Sequence, residues 1–209
     1  MADGHSLLLF ILAGLALNIT PGPDMLYVAA RSSAEGRRAG IVSALGIGAG
    51  TLVHIAALAL GLSALMQAVP LAYDIVRWAG AAYLIYLGVR ALMNPPSLDA
   101  DITIKRASLW AVFRQGVITN VLNPKVALFF LAFLPQFVDA SRGSPAIQIV
   151  LLGLIFDING TLVNIAVALG ANSLRSRFLG KKSQGTNVLG RAVGVLFIGL
   201  GARLAVSSR

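Results

Sequence analysis

Two short segments combine helix-breaking residues with a charged side chain inside long apolar stretches. They are Thr20-Pro21-Gly22-Pro23-Asp24 and Asn123-Pro124-Lys125. A proline lacks the backbone donor and clashes with the preceding turn, so neither segment continues a regular helix. We expect Thr20 to cap a new helix that begins at Pro21, and Asn123 to cap one that begins at Pro124. Because helix N-termini bind anions, both breaks predict recognition of a carboxylate.

Interrupted membrane helices of this kind are typical of the binding sites of secondary transporters. Two asparagines near the breaks extend the candidate site. The predicted substrate-binding residues are Asn18, Thr20, Pro21, Gly22, Pro23, Asp24, Asn120, Asn123, Pro124 and Lys125. The alternative is that each proline only kinks a continuous helix.

Lys125 stands in an electrostatically unfavourable place. A cation in the first turn of a helix opposes the helix dipole, and a charge deep in a bilayer costs at least ~2.5 kcal/mol unless it is paired. We therefore expect an anionic partner, for which the candidates are Asp24, Asp157 and the carboxylate of a substrate. The alternative is a purely structural pair between the lysine and an aspartate.

Asp157, Thr161 and Asn164 follow the spacing i, i+4, i+7, which places them on one face of a helix. A carboxylate within a membrane span is by default a functional hypothesis, and proton transfer is the usual one. His54 titrates near neutral pH in its unperturbed state. The proton-coupling candidates are therefore Asp24, Asp157 and His54, and the alternative for Asp157 and His54 is hydrogen bonding between helices.

The composition identifies the elements that must position these residues. The chain has 209 residues, of which 57% are hydrophobic and 12% are charged, and its mean hydropathy is +0.81. A soluble domain is about 25% charged, so a water-soluble fold is excluded. The absence of cysteine excludes disulfides and thiolate metal sites, and two histidines are too few for a His-built metal site. We predict no metal, no cofactor and, despite the net charge of +9, no nucleic-acid partner.

Six apolar segments are long enough to cross a bilayer, and each must be helical because backbone groups in lipid need partners within the segment. The predicted fold is therefore an all-α polytopic membrane protein with six transmembrane helices. Their approximate bounds are Ser6–Ala30, Gly40–Met66, Val69–Met93, Leu109–Val138, Pro145–Asn172 and Val188–Val206. In this scheme helices one and four carry the two breaks.

The loops indicate the orientation and the domain plan. Basic residues concentrate in the odd-numbered loops, which include Arg31, Arg37, Arg38, Lys105 and Arg106. These loops are predicted to be cytoplasmic and both termini to lie outside. We predict one transmembrane domain over residues 1–209, with a first repeat over 1–93, a cytoplasmic linker over 94–108 and a second repeat over 109–209. Because each half has three spans, the repeats must be inverted.

Glycines in the second and sixth segments, among them Gly46 and Gly50, allow close helix packing. They could serve contacts within one chain or between two copies, so a homodimer stays open.

The sequence resembles the lysine-exporter superfamily, and within it the branch named for resistance to homoserine and threonine. The resemblance covers essentially the whole chain. It is carried by Thr20-Pro21-Gly22-Pro23-Asp24, Gly36-Arg37-Arg38-Ala39-Gly40, the glycines before His54, Asn123-Pro124-Lys125 through Phe129-Phe130, and Leu134-Pro135-Gln136-Phe137.

This resemblance implies a bacterial inner-membrane exporter of amino acids or their derivatives, driven by proton antiport, with six helices in two inverted halves. Some relatives move heavy-metal ions, and efflux of a metal or another small ion is the alternative. An intramembrane enzyme is a weaker reading, because the sequence has no HExxH or GxSxG motif. A structural subunit would have little reason to keep broken helices and buried charges.

Overall fold

The computed structural model describes residues 4–68 and 106–178, together with isolated positions between 78 and 93 and between 191 and 206. All regular secondary structure in these residues is helical. The six helices with continuous bounds are α1 (Gly4–Ile19), α2 (Pro23–Glu35), α3 (Arg37–Ala68), α4 (Leu109–Val121), α5 (Pro124–Leu128) and α6 (Pro145–Phe178).

Short irregular turns complete the second half of this set. A π-helical turn over Phe129–Phe133 and a 3-10 turn over Leu134–Phe137 extend α5, and a second 3-10 turn covers Ala140–Arg142. Between α2 and α3 the chain turns at the single residue Gly36, whose φ of 90° favours glycine.

The helices α3 and α6 contain continuous apolar spans over Arg37–Gly61 and Pro145–Gly170. Two bent pairs, α1 with α2 and α4 with the helical segment Pro124–Phe137, are candidates for two further spans if each pair counts as one. These four candidates correspond to the first, second, fourth and fifth predicted segments. The third and sixth segments are described only at isolated positions and the linker up to residue 105 is not described, so the six-span inverted repeat stays a prediction.

The two bent spans run antiparallel. The first limb of one, α1, packs against the second limb of the other, where the ring of Phe10 lies 5.9 Å from that of Phe129. Conversely, α2 packs against α4, and the Tyr27 hydroxyl donates to the carbonyl of Val112 at 2.7 Å. Antiparallel first and fourth spans are what an inverted repeat requires.

Helix α3 packs closely along both α4 and α6. On the α4 side the approach depends on glycine, because an added Cβ on Gly46 would overlap the carbonyl oxygen of Phe113. An added Cβ on Gly50 would lie 2.7 Å from the Cβ of Asn120. The packing role predicted for these glycines is therefore confirmed within the chain.

We expect Gly46→Ala to destabilise the protein, because the new methyl group must push the α4 backbone away. Overpacking of this kind costs about 1–3 kcal/mol. Gly61→Ala in the same helix is the matched control, since a Cβ there meets nothing within 4 Å. Thermal unfolding of the purified variants in detergent measures the difference, and equal midpoints for the two variants would contradict the packing.

Candidate functional site

The first break lies between α1 and α2, whose axes are bent by 50°. The new helix begins at Pro23 and not at Pro21, so the prediction for its start and for the Thr20 cap was wrong. A residue before proline is driven to extended backbone, and Gly22, which precedes Pro23, has φ −158° and ψ −176°. The Thr20 hydroxyl instead donates to the Ala16 carbonyl at 2.7 Å and stays with α1.

The second break lies between α4 and α5, with a bend of 46° from α4 to Pro124–Phe137. Here the predicted cap is confirmed. The side-chain Oδ1 of Asn123 accepts from the backbone N–H of Lys125 at 3.0 Å, and Pro124 is the first residue of α5. Both breaks therefore end in the same order of positions: an N-cap, a proline and a charged residue, which is Asp24 in one and Lys125 in the other.

The two breaks touch each other through Lys125. Its ammonium donates to the carbonyl of Leu17 at 3.0 Å and to that of Thr20 at 2.8 Å, both at the C-terminal end of α1. A Cβ on Gly22 would lie 3.0 Å from the same Nζ atom, so glycine leaves room for the lysine. The lysine of the second half thus binds the end of the first half-helix.

Of the anionic partners expected for Lys125, neither aspartate forms a direct ion pair with it among the described residues, although the charges of Asp24 and Lys125 attract each other. The carboxylate of a substrate stays a candidate. The direct contacts of Lys125 are backbone carbonyls, because Pro21 has no N–H to donate to the Leu17 carbonyl and the C-terminal end of α1 carries the negative end of the helix dipole. Lys125 therefore opposes the dipole of its own helix, α5, but interacts favourably with the dipole of α1.

Asp24 makes the reciprocal contact. Its Oδ2 atom accepts from the amide Nδ2 of Asn120, near the C-terminal end of α4, at 2.9 Å. Asp24 is 8% exposed and Asn123 is 1% exposed. Among the described residues, the buried atoms Oδ1 of Asp24 and Nδ2 of Asn123 have no hydrogen bond of full geometry, although the Asn123 side chain lies close enough to the Asp24 carboxylate to interact with it. The junction of the breaks therefore contains an acceptor and a donor, side by side, that are not fully used.

Asn120 connects this junction to α3. Its Oδ1 atom accepts from the hydroxyl of Thr51 at 3.4 Å, and its backbone carbonyl lies 3.1 Å from Nε2 of His54. His54 also stacks on Phe130, with ring centroids 5.8 Å apart. The structure therefore brings the candidate His54 to the site as a neighbour of Asn120.

Asn18 joins the end of α1 to α6. Its amide Nδ2 donates to the Phe156 carbonyl at 3.3 Å, and its side chain passes close to Gly160, where a Cβ would lie 3.1 Å away. This hydrogen bond goes to the backbone of a neighbouring helix, so Asn18 packs the break against α6.

The stripe on α6 faces α3. The Thr161 hydroxyl lies 3.5 Å from Oδ1 of Asp157, and a Cβ on Gly48 would approach that hydroxyl to 2.7 Å and the carboxylate to 3.3 Å. Asn164, one turn further, is buried. The shared face predicted for these residues is present. Asp157 lies at the interface of α3 and α6, where it interacts with the side chain of Thr51, the residue that also donates to Asn120.

Sequence reasoning missed a polar cluster on the α2 limb. Arg31 is buried within α2, and not in a loop as predicted, and its guanidinium pairs with Glu35 and donates to Gln115 of α4. The Tyr27 hydroxyl adds the bond to α4 described above. The i, i+4 spacing of Arg31 and Glu35 was the signal available in the sequence.

An aromatic cluster lies on the other side of the first break. Phe10 belongs to the α1 limb, and the ring centroids of Phe129 and Phe156 are 4.6 Å apart. The cluster consists of Phe10, Phe129, Phe130, Phe133, Phe137 and Phe156. The junction of the breaks therefore lies between a polar cluster and an apolar one along the bent span.

In the part of the chain that the structure describes, no group of three or more His, Cys, Asp or Glu side chains is arranged to hold a metal ion. The polar atoms at the junction are amide, carboxylate, ammonium and carbonyl groups. These groups suit an organic ion that has both donors and acceptors.

Comparison with known proteins matches the chain to one family and to several relatives. Residues 15–208 match the profile of the family described as LysE type translocator. The chain is 30% identical over 196 residues to the homoserine/homoserine lactone efflux protein of Salmonella typhimurium, covering 94% of each chain. It is 26% identical over 197 residues to the leucine efflux protein of Salmonella choleraesuis, covering 94% of this chain and 92% of the relative.

An uncharacterized membrane protein of Vibrio cholerae is 29% identical over 208 residues, which is 98% of each chain. No solved structure matches.

We expect Asn120→Ala to destabilise the protein by about 1–3 kcal/mol, because it leaves the buried Asp24 carboxylate without its hydrogen-bond donor. The change in unfolding midpoint of the purified protein measures the loss, at roughly 2–4 °C for each kcal/mol in a chain of this size. Thr119→Ala, at the neighbouring half-buried position, is the control and should stay close to wild type. Similar losses for both variants would contradict the assigned contact.

Proposed function

The chain belongs to the LysE type translocator family, and we propose that it is a secondary transporter that exports amino acids or their derivatives. The proposed substrates are neutral amino acids of the homoserine, threonine and leucine class, because two relatives are named for efflux of homoserine and of leucine. The proposed location is the bacterial inner membrane, with both termini outside. We propose no catalytic residue and no cofactor.

The junction of the two breaks carries this proposal. An amino acid is a zwitterion whose ammonium donates and whose carboxylate accepts. In this proposal Oδ1 of Asp24 binds the ammonium and Nδ2 of Asn123 binds the carboxylate, since neither atom has a hydrogen bond of full geometry among the described residues. A buried polar group that lacks its hydrogen bond costs about 1–3 kcal/mol, so a ligand that binds both atoms would be favoured.

The remaining site residues build this junction. The prolines 21, 23 and 124 end the helical hydrogen bonding. Asn123 caps the first turn of α5, whereas α2 has no side-chain cap, so the first-turn N–H groups of α2 would add to the attraction for the substrate carboxylate. Asn120 and Lys125 hold the two breaks together, and Asn18 anchors the end of α1 on α6.

Proton antiport is the proposed driving mechanism. Asp24 can bind either the substrate ammonium or a proton, and a carboxylate that binds one at a time would couple their movements in opposite directions. Asp157 and His54 are the further candidates, the first beside Thr161 and the second beside Asn120. Rocking of one half of the chain against the other would expose the junction to each side in turn.

We expect Asp24→Asn to lower amino-acid export by at least about tenfold while the protein still folds, because the amide keeps the shape and lacks the charge that binds an ammonium. Export from cells that express equal amounts of each variant is measured over a panel containing threonine, homoserine, homoserine lactone and leucine. Wild-type export by Asp24→Asn would refute the role of the carboxylate.

Asp139→Asn is the matched control. Hydrogen bonds from Ser141 hold the pKa of the Asp139 carboxyl below its usual range, so this carboxylate is ionised at neutral pH, but it lies exposed outside the spans. Its substitution should leave export unchanged. A strain without the gene that becomes sensitive to metal ions, and exports every amino acid normally, would favour metal efflux instead.

We expect an uncoupler that collapses the proton gradient to abolish export against an amino-acid concentration gradient from energised vesicles. The gradient supplies about 2.3 kcal/mol per charge for each 100 mV, and without it the carrier only equilibrates its substrate. Vesicles that hold the Asp24→Asn variant give the passive rate. Export by wild type that continues at full speed in the uncoupler would contradict proton coupling.

A further inference from the structure

The C-terminal end of α1 is contacted by a positively charged side chain of the same protein, that of Lys125. Nζ of Lys125 lies 3.0 Å from the carbonyl oxygen of Leu17 and 2.8 Å from that of Thr20. The lysine reaches this end from the first turn of α5, more than a hundred residues along the chain. Two of its three ammonium donors are thereby directed at backbone carbonyls.

A helix that ends at membrane depth needs a cation or a donor at its C-terminus. Its last carbonyls lack the N–H donors four residues on that a continuing helix would supply, and the helix dipole places partial negative charge there. In transporters with broken helices, such carbonyl ends coordinate the coupling ion. Here the place is taken by an ammonium, and Gly22 leaves the space that the ammonium occupies.

We propose that Lys125 is a built-in monovalent cation at the position where a metal ion would otherwise bind. It neutralises the end of α1 and joins the two halves at the same point. A carrier with this tethered ammonium needs no Na⁺ or K⁺ at this end. This consequence rests on the proposed transport function, whereas the cation site itself does not.

The proposal predicts that removal of the ammonium leaves a cation site in its place. In Lys125→Ala, the cavity retains the carbonyls of Leu17 and Thr20 and has room for a small alkylammonium. Methylammonium should therefore raise the unfolding midpoint of purified Lys125→Ala by about 2–4 °C or more. Tetramethylammonium at the same concentration should not, because it has the same charge but no N–H donor and a larger size.

Wild type and Arg114→Ala are the controls, since Arg114 is an exposed cation on α4. Neither should respond to methylammonium. No shift in folded Lys125→Ala, or the same shift in all three proteins, would overturn the proposal. The readout uses no amino acid, so a failure of the proposed export function would leave it unaffected.

If Lys125→Ala does not fold, two further variants test the proposal. Lys125→Arg keeps a cation at this position, and Lys125→Gln keeps hydrogen-bond donors without the charge. We expect a folded yield near wild type for the arginine variant and a clear loss for the glutamine variant, measured by gel filtration in detergent. Equal yields for the two would show that the charge is not required and would overturn the proposal.

Discussion

The arrangement of the site depends on one constraint: a backbone group inside a membrane must find a partner within the protein. The breaks at Pro21 to Pro23 and at Pro124 release such groups at the ends of four half-helices. Each break finds its partner in the other one. Lys125 satisfies carbonyls at the end of α1, and Asp24 accepts from Asn120 near the end of α4. Neither break is therefore complete without the opposite half of the chain.

The two contacts use equivalent positions with opposite charges. Asp24 and Lys125 each follow an N-cap and a proline, and each contacts the C-terminal end of the first limb of the other bent span. The aspartate agrees with the dipole of its own helix, whereas the lysine opposes the dipole of α5 and agrees with that of α1. The junction therefore contains one positive and one negative group, which is the charge pattern of a zwitterionic ligand.

The sequence predicted the features that local chemistry determines. Prolines identified both breaks, and the Asn123 cap followed from its position before Pro124. The local rules failed at the first break, where two of them compete. Pro21 favours a helix start, but Pro23 requires an extended backbone at Gly22, so α2 begins only at Pro23. Contacts between residues about a hundred positions apart, such as Lys125 with Leu17, have no local pattern. The sequence could therefore predict that Lys125 has a partner, but it could not identify that partner.

The difference between the two charged groups indicates which of them can exchange ligands. Lys125 is held by two backbone carbonyls, and these cannot move away without displacing the end of α1. Asp24 has a side-chain donor, Asn120, and among the described residues its second carboxylate oxygen has no hydrogen bond of full geometry. In the proposed mechanism, an exchange of proton and ammonium at that oxygen would need no helix to unwind. Lys125 would then keep the junction in place, while Asp24 would bind and release.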